Sequence, residues 1–426
     1  MIAPSSYGAL SATSANTIQG HKPGFTGQSG AKKLGFKVGN ISYSEANLVL
    51  GGSNTDKDKI VPGTPREFER TLKLNEFSVQ GLTVSDFTVA TDYFDADGDG
   101  AANPAFTVVG GVSHKWFDGN GDEITDENKM VGCSGLSQPL TLKINLAAQS
   151  HSKYGDPRDS DPAGLVQSYQ IKSPSGICFA QPNAMKVSPS TNWMGYTNSA
   201  GTSFSWNGGS ITPHQDNGGG YDPAHFDPTW GFKASLGTKF PTTGFPGASF
   251  NLIMTSNAND YTFTHDGGSA VTIGTDGKVT LNSKPSGPVT IKAKFNATSQ
   301  IHEYTFDPRT VWVVPKPNSM NYASAVSTCG LANMPTRAQL TNSPRKTAPQ
   351  NWSYIANVYT RKVDGSLFSE WGNTNSSTYP GSQWNYSYYW TRAPWSTSTQ
   401  FSVGSNIGHV YYLSTTSTSY HVACLE

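Results

Sequence analysis

Charged side chains are scarce in this chain of 426 residues: Asp, Glu, Lys and Arg make up 14% of it, against about a quarter in average soluble domains. The 30 basic and 30 acidic residues balance, so no net field favours nucleic acid or an anionic membrane as a partner. No run of 18 apolar residues occurs, which argues against membrane insertion by a helix. Solubility therefore depends on hydroxyls and amides, as in many extracellular β proteins.

Common enzyme signatures are also missing. The sequence contains no GxSxG, no HExxH, no Walker A loop and no dinucleotide-binding fingerprint, which argues against the hydrolases, metalloproteases and nucleotide enzymes that use them. The paired carboxylates of a glycosidase are a spatial arrangement that a sequence does not display. A non-enzymatic function is the prediction, and a secreted polysaccharide-active enzyme with accessory β domains stays open as an alternative.

Cysteine is rare, with four residues in the chain. Their order favours two local pairs, Cys133–Cys178 and Cys329–Cys424, among the three pairings that four cysteines permit. No CxxC spacing occurs, which argues against zinc or thioredoxin chemistry. Two structural disulfides in an exported protein are predicted; the alternative is four reduced, buried thiols in the cytosol. Because the N-terminus lacks a signal-peptide pattern, we expect a fragment of a longer chain.

Short β-branched or alternating runs dominate what is present, and Gly, Pro, Asn or Asp bounds each of them, as is typical of β-sandwiches. The clearest runs are FSVQGLTVSDFTVA, FTVVGGVSHKWF, LTLKINLAA, VQSYQIKS, FNLIMTS, PVTIKAKF and TVWVVPK. Proline-containing joints at 182–189 and 308–317 divide the chain. The predicted parts are an uncertain N-terminal β module or part of the first sandwich (1–65), a sandwich with a disulfide (66–187), a second sandwich (188–314) and a different terminal part (315–426).

The terminal part shows two short helical signals. Met320, Ala323, Val326 and Cys329 fall at i, i+3 spacing before Gly330, which predicts a helix that ends there. In PTRAQL, Thr336 and Gln339 have the spacing of a capping box. Short strands and loops follow, so a mixed α+β domain is predicted, with its first helix joined to its last strand by a disulfide.

The chain resembles the extracellular passenger of invasin- and intimin-type bacterial adhesins over roughly residues 66–426. The segments that carry the resemblance are YQIKSPSGICFAQP, YDPAHFDPTWGF, TKFPTTGFPGASF, CGLANMPTRAQLTNS, SEWG and SYHVACL. The resemblance implies a mainly β fold of tandem Ig-like sandwiches followed by a C-type-lectin-like terminal domain. It also implies an outer-membrane anchor upstream and display on the bacterial surface.

The function implied by this resemblance is non-catalytic attachment to host or neighbouring cells through the terminal domain. A monomer that binds a host cell-surface protein or glycan receptor is expected. The Glu-Pro-Asn, Gln-Pro-Asp and Trp-Asn-Asp strings of calcium-dependent sugar-binding lectins do not occur, which favours a protein ligand or a sugar bound by stacking. A phage receptor-binding fibre is a further alternative, since such fibres are also rich in Gly, Ser, Asn, Trp and Tyr.

Aromatic residues of the terminal part are the candidate ligand contacts, because Trp and Tyr bury a large area at low entropic cost. If QWNYSYYW is extended, alternation places Trp384, Tyr386 and Tyr388 on one face. The predicted contact residues are Trp384, Tyr386, Tyr388, Arg392 and Trp395. Trp371 and Trp390 are predicted to be core residues, and the alternative is that half or more of the aromatics are buried.

The sharpest local motif is DADGDG, in which Asp95, Asp97 and Asp99 alternate as the first ligands of an EF-hand calcium loop do. Phe106 stands where that loop has its glutamate. A second acidic turn, DGNGDE, offers Asp118, Asn120 and Asp122, and the two turns could share one structural calcium ion. The alternative is two ordinary Asp/Gly turns without metal.

Overall fold

The computed structural model describes residues 20–46, 60–187, 218–346, 357–416 and 418–426, with backbone only for 204–206, 209–211 and 346. Two compact units are present. Unit 1 contains the described residues up to Phe68 together with Leu72–Val131 and Ser137–Ser173; unit 2 contains Glu69–Thr71, Gly132–Leu136 and the described residues from Pro174 onward. The described helices are all too short to cross a membrane. As predicted, the fold is mainly β.

Unit 1 consists of ten strands and two short helices. They are β1 (Gly24–Phe25), α1 (Gln28–Ala31), β2 (Gly35–Val38), β3 (Ile41–Ser44), β4 (Arg66–Glu67), β5 (Phe77–Gln80), α2 (Val89–Asp92), β6 (Tyr93–Phe94), β7 (Ala101–Phe117), β8 (Glu123–Ile124), β9 (Leu140–Ser152) and β10 (Ala163–Lys172). The main sheet has the order β4-β10-β9-β7-β8, and the smaller sheets have the orders β3-β2-β5 and β1-β6.

The core of unit 1 follows from strand alternation. In β9 every second residue from Leu140 to Ser152 is buried, as the period-2 pattern of LTLKINLAA predicts. The rings of the smaller sheet pack against this sheet: Phe36 of β2 lies 5.5 Å from Tyr169, and Phe77 of β5 lies 5.1 Å from Trp116. Because Phe36 of β2 lies in this core, the described residues of the 1–65 segment belong to unit 1.

One predicted strand run, FSVQGLTVSDFTVA, is strand only at its start. β5 ends at Gln80, and a single 3-10 turn at Val84–Asp86 and α2 follow it. The Asp86 carboxylate accepts hydrogen bonds from the backbone N and hydroxyl of Thr83, at 2.8 and 3.0 Å. Such a capping box stabilises a helical turn against continued extension, which explains the difference.

Unit 2 contains the remaining elements. They are β11 (Ile177–Pro182), β12 (Phe204–Trp206), β13 (Gly209–Ile211), β14 (Phe226–Asp227), β15 (Gly231–Lys233), β16 (Thr243–Gly244), β17 (Ala248–Met254), β18 (Tyr261–His265), β19 (Val271–Ile273), β20 (Lys278–Leu281), β21 (Val289–Phe295), β22 (Ile301–Phe306), β23 (Val311–Pro315), α3 (Tyr322–Cys329), α4 (Arg337–Leu340), α5 (Leu367–Trp371), β24 (Tyr388–Pro394), β25 (Thr399–Gly404), β26 (Val410–Ser414) and β27 (Ala423–Leu425). Further 3-10 turns lie at Leu74–Glu76 in unit 1 and at Ala258–Asp260, Gly268–Ala270, Leu331–Asn333 and Pro344–Lys346 in unit 2.

We call the described residues from 174 to 315 the Ig-like region and residues 316–426 the C-terminal region. The Ig-like region has a sheet of order β14-β15-β11-β17-β20-β19 that is complemented by β18-β21-β22. β11 pairs with β15 and β17, so the boundary predicted at 187/188 lies earlier, near 173/174. The C-terminal region adds the sheet β24-β25-β26 and the short helices, a mixed α+β plan.

The two regions of unit 2 share one hydrophobic core. Phe240 lies 4.8 Å from Trp371, and Phe245 lies 5.7 Å from Trp384. β23 also pairs on one side with β16 and on the other with β27. The predicted boundary at 314/315 therefore falls within a strand that belongs to both regions.

Both predicted cysteine pairs are present as disulfides, Cys133–Cys178 and Cys329–Cys424. The second joins the end of α3 to β27, as predicted. Each pair lies within unit 2, since residues 132–136 are grouped with that unit. The alternative of four reduced thiols is wrong.

Candidate functional site

The C-terminal region carries an open groove of about 630 Å³. It lies between the start of α3, the end of β24 and the segment that follows β26. Its lining residues are Tyr322, Ala323, Leu331, Arg392, Pro394, Trp395, Ser396, Thr397, Gln400, Thr415 and Thr416. Ligand pockets in proteins commonly have volumes of about 300–1,000 Å³, so this groove, which contains two predicted contact residues, is the candidate functional site.

The wall formed by α3 is fixed locally. The Asn321 side chain caps the helix by accepting from the backbone N of Ser324 at 2.9 Å, and Gly330 ends it with a φ of 77°. Only glycine adopts that backbone conformation without strain. The disulfide from Cys329 then anchors the last turn. A groove wall with this many restraints is preorganised for binding.

The indole of Trp390 connects the helix to the sheet beneath the groove. Trp390 is fully buried, as predicted, and packs edge-on against Tyr322 at 5.8 Å and Tyr420 at 5.6 Å. Its Nε1 donates to the carbonyl oxygen of Met320 at 2.9 Å. A buried tryptophan usually requires such a partner for its N–H. The position of Tyr322 in the groove wall is therefore set by the core below it.

Trp395 heads a stack of exposed aromatic rings. Its ring lies 5.0 Å from that of Tyr412 at an interplanar angle of 14°, and Tyr412 lies 5.3 Å from Tyr411 at 9°. The three side chains stay 38%, 40% and 42% exposed. Phe401 supports Trp395 from below at 5.3 Å. Aromatic rings at this level of exposure offer a stacking surface to a ligand.

Among the described residues that line the groove, Arg392 is the sole charged one. Its backbone N donates to the carbonyl oxygen of Pro335 at 3.1 Å, which fixes the strand. Within the described ranges its exposed guanidinium forms no ion pair with an acidic residue. From Ala393 to Leu425 the sequence contains no Asp, Glu, Lys or Arg. The guanidinium therefore adds one positive charge next to a stretch of chain that has no Asp, Glu, Lys or Arg.

The other predicted contact residues lie elsewhere. Trp384 is fully buried between Phe245 and Tyr389, so its assignment as a ligand contact is wrong. Tyr386 is 70% exposed but does not line the groove. Tyr388 is half-buried, and its hydroxyl lies 3.0 Å from Nδ1 of His409. The alternation that would align these three side chains requires a strand, and β24 begins only at Tyr388. The structure therefore brings two of the five predicted contact residues, Arg392 and Trp395, into one groove.

The first acidic turn of unit 1 brings three carboxylates together. Ligand oxygens of Asp95, Asp97 and Asp99 all lie within 4.8 Å of one another. The Tyr93 hydroxyl donates to Oδ2 of Asp95 at 2.6 Å. Hydrogen bonding with Asp97 and Tyr93 lowers the pKa of Asp95, whereas burial and the charges of Asp97 and Asp95 raise the pKa of Asp99. Carboxylate oxygens are the ligands that Ca²⁺ prefers.

The second acidic turn has a different arrangement. Oδ1 of Asp118 accepts from the backbone N of Asn120 at 2.9 Å and from that of Asp122 at 3.0 Å. This is the self-contained hydrogen bonding of an Asx turn. Among the residues that the structure describes, the three-carboxylate cluster does not include Asp118 or Asp122. The structure therefore does not bring the two turns to one shared ion site.

One buried carboxylate of unit 2 belongs to no sequence motif that would nominate it as a functional residue. Glu370 of α5 is fully buried and accepts four hydrogen bonds from the backbone and hydroxyls of Thr242 and Thr243. Burial raises its pKa to about 7, against the lowering effect of these hydrogen bonds. The guanidinium of Arg361, itself buried, donates to the backbone oxygen of Glu370 at 3.0 Å. The sequence feature that could have indicated its burial is the lone glutamate within the otherwise uncharged segment LFSEW.

A family comparison covers part of unit 2. Residues 226–306 match the model of the family described as invasin, domain 4. The match spans β14 to β22 of the Ig-like region. The predicted resemblance to invasin- and intimin-type adhesins is confirmed for this invasin domain 4 segment. No curated protein matches the chain significantly.

Solved structures of invasin and intimin are similar to this chain at low sequence identity. Invasin, described as a bacterial integrin-binding protein, is 16% identical with a TM-score of 0.37, over 76% of this chain and 59% of that one. An intimin mutant from EHEC O157:H7 and the intimin–Tir90 complex are each 18% identical over 44% of this chain and 89% of theirs, with TM-scores of 0.31 and 0.32. The chain thus spans 59% of the length of invasin. These TM-scores are low, and the match to the invasin domain 4 model is limited to residues 226–306.

Proposed function

We propose that this chain is the extracellular part of a non-catalytic bacterial adhesin that attaches to a receptor on host or neighbouring cells. One observation carries the proposal: the invasin domain 4 segment is joined, through a continuous core, to a C-terminal region with an exposed groove. The Ig-like region supports and orients that groove. Display outside the cell agrees with the two disulfides, which persist in oxidising compartments.

The groove itself has the composition of a contact surface. It combines an arginine, a tryptophan and several hydroxyls, and its described lining includes no Asp or Glu. Trp, Tyr and Arg dominate binding energy at protein interfaces. A glycosidase requires two carboxylates at the cleaved bond, so a polysaccharide-active enzyme would need its catalytic site elsewhere in the chain.

Cell binding tests the adhesin proposal. The purified 426-residue chain, labelled with a fluorophore, is incubated with cultured mammalian cells and with bacterial cells, and the bound label is measured by flow cytometry. Saturable binding is expected, and the double variant Arg392→Ala/Trp395→Ala should weaken it at least about tenfold. Tyr386→Ala is the matched control, because this exposed tyrosine of the same region does not line the groove.

Two outcomes would overturn the proposal. The adhesin proposal would be rejected if the chain showed saturable binding neither to the mammalian cells nor to the bacterial cells. Equal loss of binding in the Tyr386→Ala control and the double variant would reject the groove as the contact site. Light scattering separates the adhesin from a phage fibre, since a stable trimer of the chain would favour the fibre.

A further inference from the structure

The groove of the C-terminal region has an unusual combination of chemistry. Of the eleven lining residues that the structure describes, four are Ser or Thr, and Arg392 is the single formally charged one. The 33 residues from Ala393 to Leu425 contain no charge that could pair with a densely charged partner. An uncharged, hydroxyl-rich surface with one cation favours a ligand that is rich in hydroxyls and carries one negative charge.

We propose that the groove binds a carboxylate-bearing pyranose, a sialic or uronic acid residue, at the surface of a cell. The sugar carboxylate pairs with the guanidinium of Arg392, and the sugar ring lies against Trp395. The inference rests on the proposed adhesin function and names the class of receptor. It requires no calcium, in agreement with the absence of the calcium-dependent sugar-binding strings.

Arg392 supplies the selectivity for the acid. A guanidinium presents parallel N–H donors that match the two oxygens of a carboxylate, and such charge-assisted pairs are stronger than neutral hydrogen bonds. No acidic side chain of the described residues competes for this guanidinium. A carboxylate-bearing ligand therefore gains an interaction in the groove that its neutral analogue lacks.

Trp395 supplies the stacking surface. Its indole is held by Tyr412 at 5.0 Å and by Phe401 at 5.3 Å, yet 38% of the residue remains exposed. Because the neighbouring rings fix the indole, little side-chain entropy is lost when a sugar ring covers it. The Ser and Thr hydroxyls of the rim replace the water that hydrates the sugar hydroxyls.

An acidic peptide could also pair with Arg392, but the residues that line the groove favour an acidic sugar over such a peptide. A peptide side chain would satisfy the guanidinium, but it brings few hydroxyl groups for Ser396, Thr397, Thr415 and Thr416. Protein partners also anchor in fully desolvated apolar pockets at the centre of an interface, and this groove is open at its rim. The peptide is an outcome that the test below distinguishes.

Calorimetric titration of the full chain tests the inference. The probes are 3′-sialyllactose and a hyaluronan tetrasaccharide, with lactose as the neutral analogue of the first. At least one acidic probe should bind at least about tenfold more tightly than lactose. Arg392→Ala should abolish that preference, and Arg392→Lys should restore it partly, because lysine keeps the charge without the planar fork. Trp395→Ala should weaken all binding, and Tyr386→Ala should leave it unchanged.

The results that would reject the sugar inference differ from those that would reject the adhesin proposal. The sugar inference is overturned if neither acidic probe binds more tightly than lactose. It is also overturned if adhesion to cells survives sialidase and hyaluronidase but is lost after protease treatment, which would identify a protein receptor and leave the adhesin proposal intact. Loss of adhesion with the glycosidases alone supports the inference. Absence of any cell binding rejects the adhesin function itself.

Discussion

Glu370 and Thr242 are joined by two hydrogen bonds: the backbone N of Thr242 donates to Oε2 at 2.8 Å, and its hydroxyl donates to Oε1 at 2.5 Å. Glu370 belongs to α5 of the C-terminal region, and Thr242 precedes β16 of the Ig-like region. A fully buried carboxylate therefore links the two regions through polar contacts within a shared apolar core. Such a contact is sensitive to pH, because burial penalises the charged form.

The stability of unit 2 should consequently depend on pH through Glu370. Its pKa is raised to about 7 in the folded state from 4.5, so between these values the folded protein binds more protons than the unfolded one. The Glu370 contribution to the free energy of unfolding should then fall as pH rises through this window. The decrease is on the order of 3 kcal/mol at most, from about 1.4 kcal/mol for each pH unit.

The variant Glu370→Gln should remove that contribution and so change the pH slope, since glutamine does not titrate and its amide oxygen still accepts hydrogen bonds. Urea denaturation followed by tryptophan fluorescence at pH 5, 6, 7 and 8 measures the effect. Glu303→Gln, a change at an exposed position of β22, is the control and should keep the slope of the original chain. Parallel curves for the original chain and Glu370→Gln would contradict the prediction.

Removal of the Trp384 and Trp395 side chains should have different effects on the free energy of unfolding. Trp384→Ala deletes a fully buried indole and should lower the free energy of unfolding by about 3–5 kcal/mol. Trp395→Ala removes a partly exposed ring and should cost about 1 kcal/mol or less while it weakens ligand binding. Urea denaturation of the two variants measures the loss of stability, and the cell-binding assay measures the loss of binding. A stable Trp384→Ala variant would show that its indole is not a core element.

Removal of the Cys329–Cys424 disulfide should destabilise unit 2. The bond closes a loop with a sequence separation of 95 residues, and restriction of the unfolded chain by such a loop contributes about 4–5 kcal/mol. The double variant Cys329→Ser/Cys424→Ser should therefore unfold at a lower urea concentration. The original chain measured with and without a reducing agent is the comparison. An unchanged midpoint in the double variant would contradict this entropic contribution.

Calcium should stabilise unit 1 by binding to Asp95, Asp97 and Asp99. Three carboxylates within 4.8 Å of one another repel each other, and a divalent cation relieves that repulsion. Differential scanning calorimetry in calcium chloride and in EDTA should show a higher unfolding temperature with calcium. Asp97→Asn should reduce the difference, whereas Asp122→Asn, in the turn outside the cluster, should preserve it. Identical melting curves in calcium and EDTA would leave DADGDG as an ordinary turn.

The features that sequence predicted correctly are mostly local ones. The alternation of LTLKINLAA specifies β9 because side chains of a strand point to opposite faces at every step. The helix start at Thr336 was also evident, and the Gln339 side chain accepts from the Thr336 backbone N at 2.8 Å. Chain order was enough for the two disulfides, because each pair is formed by successive cysteines.

The features that sequence missed depend on distant contacts. The burial of Trp384 requires Phe245, which lies far away in the chain, and no pattern around QWNYSYYW reveals that partner. The role of Glu370 likewise depends on Thr242 and Thr243, at a sequence distance of 128 and 127 residues. Arg392 and Trp395 were identified by residue type, but their shared groove became apparent only with the position of α3 known.

The pairing of β23 with both β16 and β27 has a consequence for how this protein can change over evolutionary time. A recombination event that replaced residues from 315 onward would remove the partner strand of β23 and expose the rings of Phe240 and Phe245. The C-terminal region can therefore not be replaced on its own without disrupting the core that it shares with the Ig-like region. We expect the residues from about 174 to the last strand to be inherited together. Differences in binding specificity should then arise by substitution of residues around the groove.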